Sequence, residues 1–246
     1  SGPRCWANCE EWKYCADRSQ SPIDLDSGIA LKLADFEPLS TLGYNETDDF
    51  SITNNGHTVE VAPPGGFEAV ISGMELPGVY KLAQFHLHWA ETSAHGSEHT
   101  INGQEFPMEA HFVHYNTDYS DIEEAMDKDE GLAVLGFMFR VSPVDNSALN
   151  GILQALDDVT FKDTSNVSIT LDDLLRPRMD EFFRYSGSLT TPPCYESVVW
   201  TVFADSPIEI SELQLAAFRT KLFLGYDENS GLLDINYRPP LSLGER

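Results

Sequence analysis

The sequence predicts a mainly β, single-domain protein with a few peripheral helices. Short runs with period-two alternation of apolar and polar residues recur along the chain, as in Gln84–Trp89. Helical spacing appears in only a few short segments. No linker, internal repeat or low-complexity stretch divides the 246 residues. That length fits one large domain or two small ones, and the uniform pattern favours one domain over 1–246.

The elements follow in order. Residues 1–20 read as loop and hold three of the four cysteines. Ser21 to Leu39 reads as short strands and turns. Phe50 to Ala62 alternates as strands broken at Asn55-Gly56, and Pro63-Pro64-Gly65-Gly66 is a loop. Phe67 to Tyr80 adds strand segments punctuated by Gly73 and Pro77-Gly78. Gln84 to Trp89 and Gln104 to Tyr115 are strand-like, and Asn102-Gly103 before the second is a strong hairpin signal. Asp121 to Asp129 is a short acidic helix candidate stopped by Gly131. Leu132 to Val141 is almost wholly apolar and reads as a buried strand. Asn146 to Asp157 carries Leu149, Ile152, Leu153 and Leu156 at helical spacing. Thr170 to Leu175 is a shorter helix or turn. Tyr185 to Thr191 leads into a rigid Pro192-Pro193 turn, and Glu196 to Phe203 is a buried strand holding Trp200. Ser211-Glu212-Leu213-Gln214 opens a capped helix that runs to about Leu222. From Asn229 the chain is mostly irregular.

Most of the seven histidines fall between Gln84 and His114. In Gln84-Phe85-His86-Leu87-His88-Trp89, the period of two puts Gln84, His86 and His88 on one strand face. In the second run, Glu109, His111 and Val113 share a face. Three neutral imidazoles from two neighbouring strands suit zinc, at roughly 2.0–2.1 Å per Zn–N bond. With three protein ligands, one tetrahedral position stays open for water, as in catalytic zinc sites. Gln84 and Glu109 each precede a histidine by two residues, where they can fix its second ring nitrogen. Spacing alone leaves open a set of histidines without metal. His95, His99 and His114 read as non-ligands: the first lies in a Ser/Gly-rich loop, the second fits a satisfied buried residue, and the third points to the opposite face.

Forty acidic residues against 15 basic ones give a formal net charge of −25. A surface this negative argues against binding nucleic acid or anionic membranes. It fits solubility, weak cation association, or a solvated surface with no partner. Hydrophobic content of 41% is enough for a sizeable core, and no apolar run is long enough for a transmembrane helix. No signal peptide is visible, and a start at Ser1-Gly2-Pro3 is the pattern of a processed or trimmed chain. Nothing sets an oligomeric state. The even cysteine count permits disulfides without requiring them. Asn45-Glu46-Thr47 and Asn166-Val167-Ser168 are N-glycosylation acceptors.

Gln-Phe-His-Leu-His-Trp, Gly-Ser-Glu-His-Thr, Met-Glu-Ala-His-Phe-Val-His-Tyr and Ser-Leu-Thr-Thr-Pro-Pro-Cys together resemble the α-class carbonic anhydrases. Gln20-Ser21-Pro22-Ile23, Asn54-Asn55-Gly56-His57 and Asn236-Tyr237-Arg238-Pro239 extend the resemblance, in order, from about Gly2 to Pro239. The resemblance implies a large twisted, mostly antiparallel β-sheet with short surface helices. It implies reversible hydration of CO2 to bicarbonate by zinc-bound hydroxide, with inhibition by sulfonamides and anions.

The implied zinc ligands are His86, His88 and His111, with Gln84, Glu109 and the backbone of Asn236 supporting them. Thr190 and Glu98 match a pair that orients the nucleophile: if the Thr190 hydroxyl donates to Glu98, its lone pairs must accept from the nucleophile. Val113, Val134, Leu189, Val198 and Trp200 match an apolar wall for CO2, and Thr191 matches a polar position that contacts bicarbonate or inhibitors. His57 matches a proton shuttle, with Asn55 on the polar wall beside it. Glu60 departs from the family pattern, where many members carry a neutral amide. Secreted and membrane-anchored members commonly join cysteines placed as Cys15 and Cys194, which leaves Cys5 and Cys9 to pair locally. The chain is therefore expected outside the cell, secreted or held to a membrane by a C-terminal segment not present here. Two other readings also fit the sequence: a zinc-free binding domain of the same fold, and an acidic matrix protein.

Overall fold

The computed structural model describes residues 2–33, 36–175, 179, 181–226 and 228–244. Twelve strands lie among the described residues: β1 (Asp24–Leu25), β2 (Ser40–Leu42), β3 (Thr47–Asn54), β4 (Val59–Ala62), β5 (Val70–Ser72), β6 (Tyr80–Trp89), β7 (Thr100–Ile101), β8 (Met108–Asn116), β9 (Leu132–Ser142), β10 (Thr164–Thr170), β11 (Phe182–Gly187) and β12 (Val198–Ser211). Ten form one sheet, ordered β10-β3-β4-β6-β8-β9-β12-β11, with β5 on β6 and β2 on β5. Neighbours run antiparallel except β9 and β12, which are parallel. The expected large, mostly antiparallel sheet is present. The remaining two strands, β1 and β7, form a separate parallel pair.

Alternation along each strand assigns its two faces. Phe85, Leu87 and Trp89 of β6 join Met108, Ala110 and Phe112 of β8 in the larger hydrophobic core. Ala133, Leu135, Phe137 and Phe139 of β9 extend that core. The intervening residues face the other way, where Val113, Val134, Met138, Val198, Trp200 and Val202 build a smaller apolar cluster. Leu132 to Phe139 is buried throughout because both faces of β9 are covered, which explains its continuous apolar run.

One irregularity decides which residues of β6 face the site. Leu82 pairs with His114 but Gln84 pairs with Val113, so β6 carries one extra residue at Ala83. Such a bulge moves the strand's alternation by one position. Tyr80 and Leu82 therefore share the core with Phe85 and Leu87, while Gln84, His86 and His88 turn to the opposite face.

The helices are short: α1 (Ile122–Ala125), α2 (Asn150–Ala155), α3 (Leu171–Leu174) and α4 (Glu212–Lys221). The Asp121 side chain caps α1 by accepting the Glu124 N–H. That helix stops far short of Asp129, because Asp127 and Asp129 are unfavourable near the negative end of a helix dipole. Ser211 and Gln214 form the expected reciprocal box at the start of α4. Residues 1–20, expected as loop, contain two 3₁₀ helices, Pro3–Asn8 and Glu10–Ala16.

The Asn102-Gly103 turn forms with positive φ at both residues (51° and 76°). It closes only the Ile101–Gln104 bridge and does not join β6 to β8. Cys15 and Cys194 are disulfide-bonded, with Cα atoms 4.9 Å apart. The local Cys5–Cys9 pairing is not formed, and both thiols are free. Cys5 lies inside the first 3₁₀ helix and Cys9 at its C-terminal cap. A rise of about 2 Å per residue and about three residues per turn separates i and i+4 by about 8 Å and a third of a turn, beyond disulfide reach.

Candidate active site

The register of β6 and β8 places His86 directly opposite His111, and His88 opposite Glu109. Directly opposed residues project from the same face, so the three imidazoles meet. Their ring centroids lie 4.9 Å (His86–His88), 5.3 Å (His86–His111) and 4.6 Å (His88–His111) apart. One ligand atom from each falls within 4.8 Å of the other two.

The second ring nitrogen of each histidine is engaged elsewhere. His86 Nδ1 lies 2.9 Å from Gln84 Oε1, and His88 Nδ1 lies 2.9 Å from the Asn236 carbonyl oxygen. His111 Nε2 lies 2.7 Å from Glu109 Oε1. These contacts orient His86 and His88 by Nε2 and His111 by Nδ1 toward the common point. His88 Nε2 is buried without a hydrogen-bond partner. A buried nitrogen costs free energy when unpaired, and a cation among three imidazoles would satisfy it. Burial lowers the pKa of His86 and His88; the neighbouring histidines add to this, while at His88 the Glu98 carboxylate opposes without reversing it, so both suit a neutral donor role. The donor set fits zinc.

Glu109 is fully buried and serves several partners. Its Oε1 meets His99 Nδ1 at 2.7 Å as well as His111, and its Oε2 accepts the N–H groups of Glu98 and His99 at 2.8 Å each. Burial pushes its carboxyl up, but electrostatic attraction to the His99 and His111 rings and their hydrogen bonds outweigh this and hold it well below the usual range. Gly136 of β9, which lies directly opposite His111, helps to make room: a Cβ there would sit 3.3 Å from Glu109 Oε1. His99 continues the chain to Tyr185 Oη at 2.6 Å, and Tyr185 donates to Ser21 Oγ at 2.8 Å. Sequence reasoning left His99 as a satisfied buried histidine and missed Tyr185. No local spacing connects residues so distant in the chain.

Asn236 does more than offer its carbonyl. Its Oδ1 accepts the Trp89 N–H, and its Nδ2 donates to the carbonyls of Leu87 and His57. It thus couples the His88 strand to the turn that bears His57. His57 itself is exposed, and the Asn55 side chain accepts its backbone N–H.

Glu98 is buried, and its Oε1 accepts the Arg238 N–H at 2.7 Å. Arg238 was not singled out from the sequence; its guanidinium reaches Gln20 Oε1 and the Ser21 carbonyl. Glu98 Oε2 is buried without a hydrogen-bond partner, with His111 Nδ1 3.9 Å away, and no hydrogen bond joins it to Thr190 among the described residues. Thr190 is also buried, whereas Thr191 is exposed. Leu189 packs on the cluster holding Val113, Val134, Val198 and Trp200, so the expected apolar wall is contiguous. Trp200 stands edge-on to His111, centroids 4.7 Å apart, and donates to the Ser188 carbonyl. This anchors the Thr190 segment beside the histidines. His95 and His114 lie apart, with Glu105 and Tyr44 respectively.

A model of the eukaryotic-type carbonic anhydrase family matches residues 1–246. The chain belongs to that family. Carbonic anhydrase 12 of Homo sapiens is 38% identical over 256 residues, covering 100% of this chain and 69% of the relative. Carbonic anhydrase 7 of Mus musculus is 41% identical over 230 residues, 92% of this chain and 86% of the relative. Carbonic anhydrase 4 of Rattus norvegicus is 35% identical over 250 residues, 100% and 78% respectively. This carbonic anhydrase therefore belongs to enzymes that hydrate CO2, in a family that is generally zinc-dependent, and its histidine triad is compatible with a metal.

Proposed function

We propose that this carbonic anhydrase hydrates CO2 at a zinc ion held by His86 Nε2, His88 Nε2 and His111 Nδ1. The observation that carries the reading is the convergence of three ring nitrogens whose partner nitrogens are already engaged. Zinc there supplies a Lewis acid that lowers the pKa of a water to about 7, a figure that comes from carbonic anhydrase itself.

The protein's own groups do the rest. Gln84, Glu109 and the Asn236 carbonyl fix the ligand rings. Thr190 has one hydroxyl proton to donate, and Glu98 Oε2 is an open buried acceptor. We assign the pair the task of setting the nucleophile's direction. Val113, Val134, Leu189, Val198 and Trp200 exclude water and accept apolar CO2, while Thr191 meets bicarbonate or an inhibitor. Sulfonamides and inorganic anions inhibit by competing at the metal. His57, exposed at the rim, relays the product proton to buffer; an imidazole's ordinary pKa near 6.5 suits reversible transfer.

The same reading puts the protein outside the cell. The Cys15–Cys194 disulfide favours an oxidising compartment. Asn45 and Asn166 are exposed and available for glycosylation. No helix of the described residues is long and apolar enough to cross a membrane.

Stopped-flow CO2 hydration before and after zinc chelation tests the function. Activity lost with zinc and regained on its return supports it. Full activity in metal-free protein overturns it.

A further inference from the structure

Glu60 brings a carboxylate to the proposed metal site. Val59 and Val61, its neighbours in β4, are fully buried in the larger core. Alternation therefore turns Glu60 to the opposite face, the one that carries the histidines. The register confirms the side: Glu60 lies directly opposite His86. Opposed residues in such a pair have Cβ atoms about 4.5–5.5 Å apart.

The side chain is half-buried and held in place. The Asn55 amide hydrogen-bonds it, and Asn55 Oδ1 accepts the backbone N–H groups of His57 and Thr58. No lysine or arginine pairs with it among the described residues. Burial raises its carboxyl pKa, and the Asn55 bond opposes that rise.

We propose that Glu60 is a specificity-determining residue, a fixed negative charge beside His86 that screens the metal site against anions while leaving access for neutral CO2. The proposal rests on the zinc reading above. Anions and CO2 approach the same open position, but only anions feel the carboxylate. A like charge about 8–10 Å away, at an effective dielectric of about 20–40, weakens anion binding by about four- to thirtyfold. Bicarbonate carries the same charge, so the screen also weakens product inhibition.

The test uses the zinc-loaded full chain, well above the carboxylate pKa range. Thiocyanate is titrated calorimetrically into wild type, Glu60→Gln and Glu60→Asp, with its inhibition of hydration measured alongside. Glu60→Gln is expected to bind thiocyanate about tenfold tighter at low ionic strength. The gap should shrink in about 1 M inert salt, where the screening length falls to about 3 Å. Glu60→Asp should keep the wild-type affinity, because it keeps the charge. Equal affinity in wild type and Glu60→Gln overturns the proposal, as does Glu60→Asp binding as tightly as Glu60→Gln. A wild-type protein that retains no zinc overturns the functional reading itself and the screen with it.

Discussion

Glu109 Oε1 lies 2.7 Å from His111 Nε2, and both residues are almost fully buried. The carboxylate fixes which nitrogen of His111 faces the other two histidines. Glu109→Gln keeps the size but removes the charge, and it offers one acceptor where two serve four contacts. Zinc affinity is expected to fall by about 10–100-fold, the range seen for partners of zinc-bound histidines, carbonic anhydrase included. Competition with a chromophoric chelator measures it; an unchanged affinity would show that Glu109 does not position His111.

The roles proposed for His57 and Thr190 belong to separable stages. His57 is exposed and is not one of the converging histidines, so under the proposed shuttle role His57→Ala should lower kcat in dilute buffer by about tenfold or more and spare kcat/KM. Added imidazole buffer should restore much of the loss. Thr190→Ala should lower kcat/KM by about 100-fold, because it removes an orienting group from the attack on CO2. Stopped-flow hydration across buffer concentrations separates the two. A kcat/KM loss for His57→Ala as deep as its kcat loss rules out the shuttle.

His114 makes stability depend on pH. It is fully buried, and burial lowers its pKa from 6.5 to about 4, against hydrogen bonds to the Ala133 and Phe112 backbone. The unfolded chain therefore binds a proton at higher pH than the folded chain does. This stability is fully present above about pH 6.5, declines as pH falls, and levels off below about 4, for a total of about 3 kcal/mol. Urea unfolding of the metal-free protein should show that slope, and His114→Gln should reduce it. An identical pH slope in the variant contradicts the assignment.

The Cys15–Cys194 bond spans 179 residues. Closing a loop of that length stabilises by about 5 kcal/mol in the chain-entropy model. Cys15→Ser/Cys194→Ser should unfold at a markedly lower urea concentration than the oxidised protein. Matching midpoints would mean that the bond contributes nothing. Peptide mapping should also find Cys5 and Cys9 as free thiols.

Much of the site was legible because a strand's period of two is visible in local sequence. Gln84, His86 and His88 fall on one face, as do Glu109, His111 and Val113, and the structure keeps both sets. The bulge at Ala83 was invisible, since Tyr80 and Leu82 alternate as well as Phe85 and Leu87 do; only pairing with His114 and Val113 reveals the shift. Asn102-Gly103 made a true turn, but turn chemistry fixes local geometry and not which strands it joins. Long-range partners were beyond spacing. The His99–Tyr185 contact and the Arg238 N–H on Glu98 bridge 86 and 140 residues. Asn236 was expected through its backbone alone, yet its side chain also holds the His57 turn. The Cys5–Cys9 pairing failed because a 3₁₀ helix separates the two side chains.

The central claim is that His86, His88 and His111 together hold the metal. The most direct measurement is zinc content per chain, by atomic spectrometry, for wild type and His88→Ala after extensive dialysis. The account predicts one zinc per wild-type chain and none retained by a folded His88→Ala variant. A variant that keeps a full equivalent of zinc contradicts it.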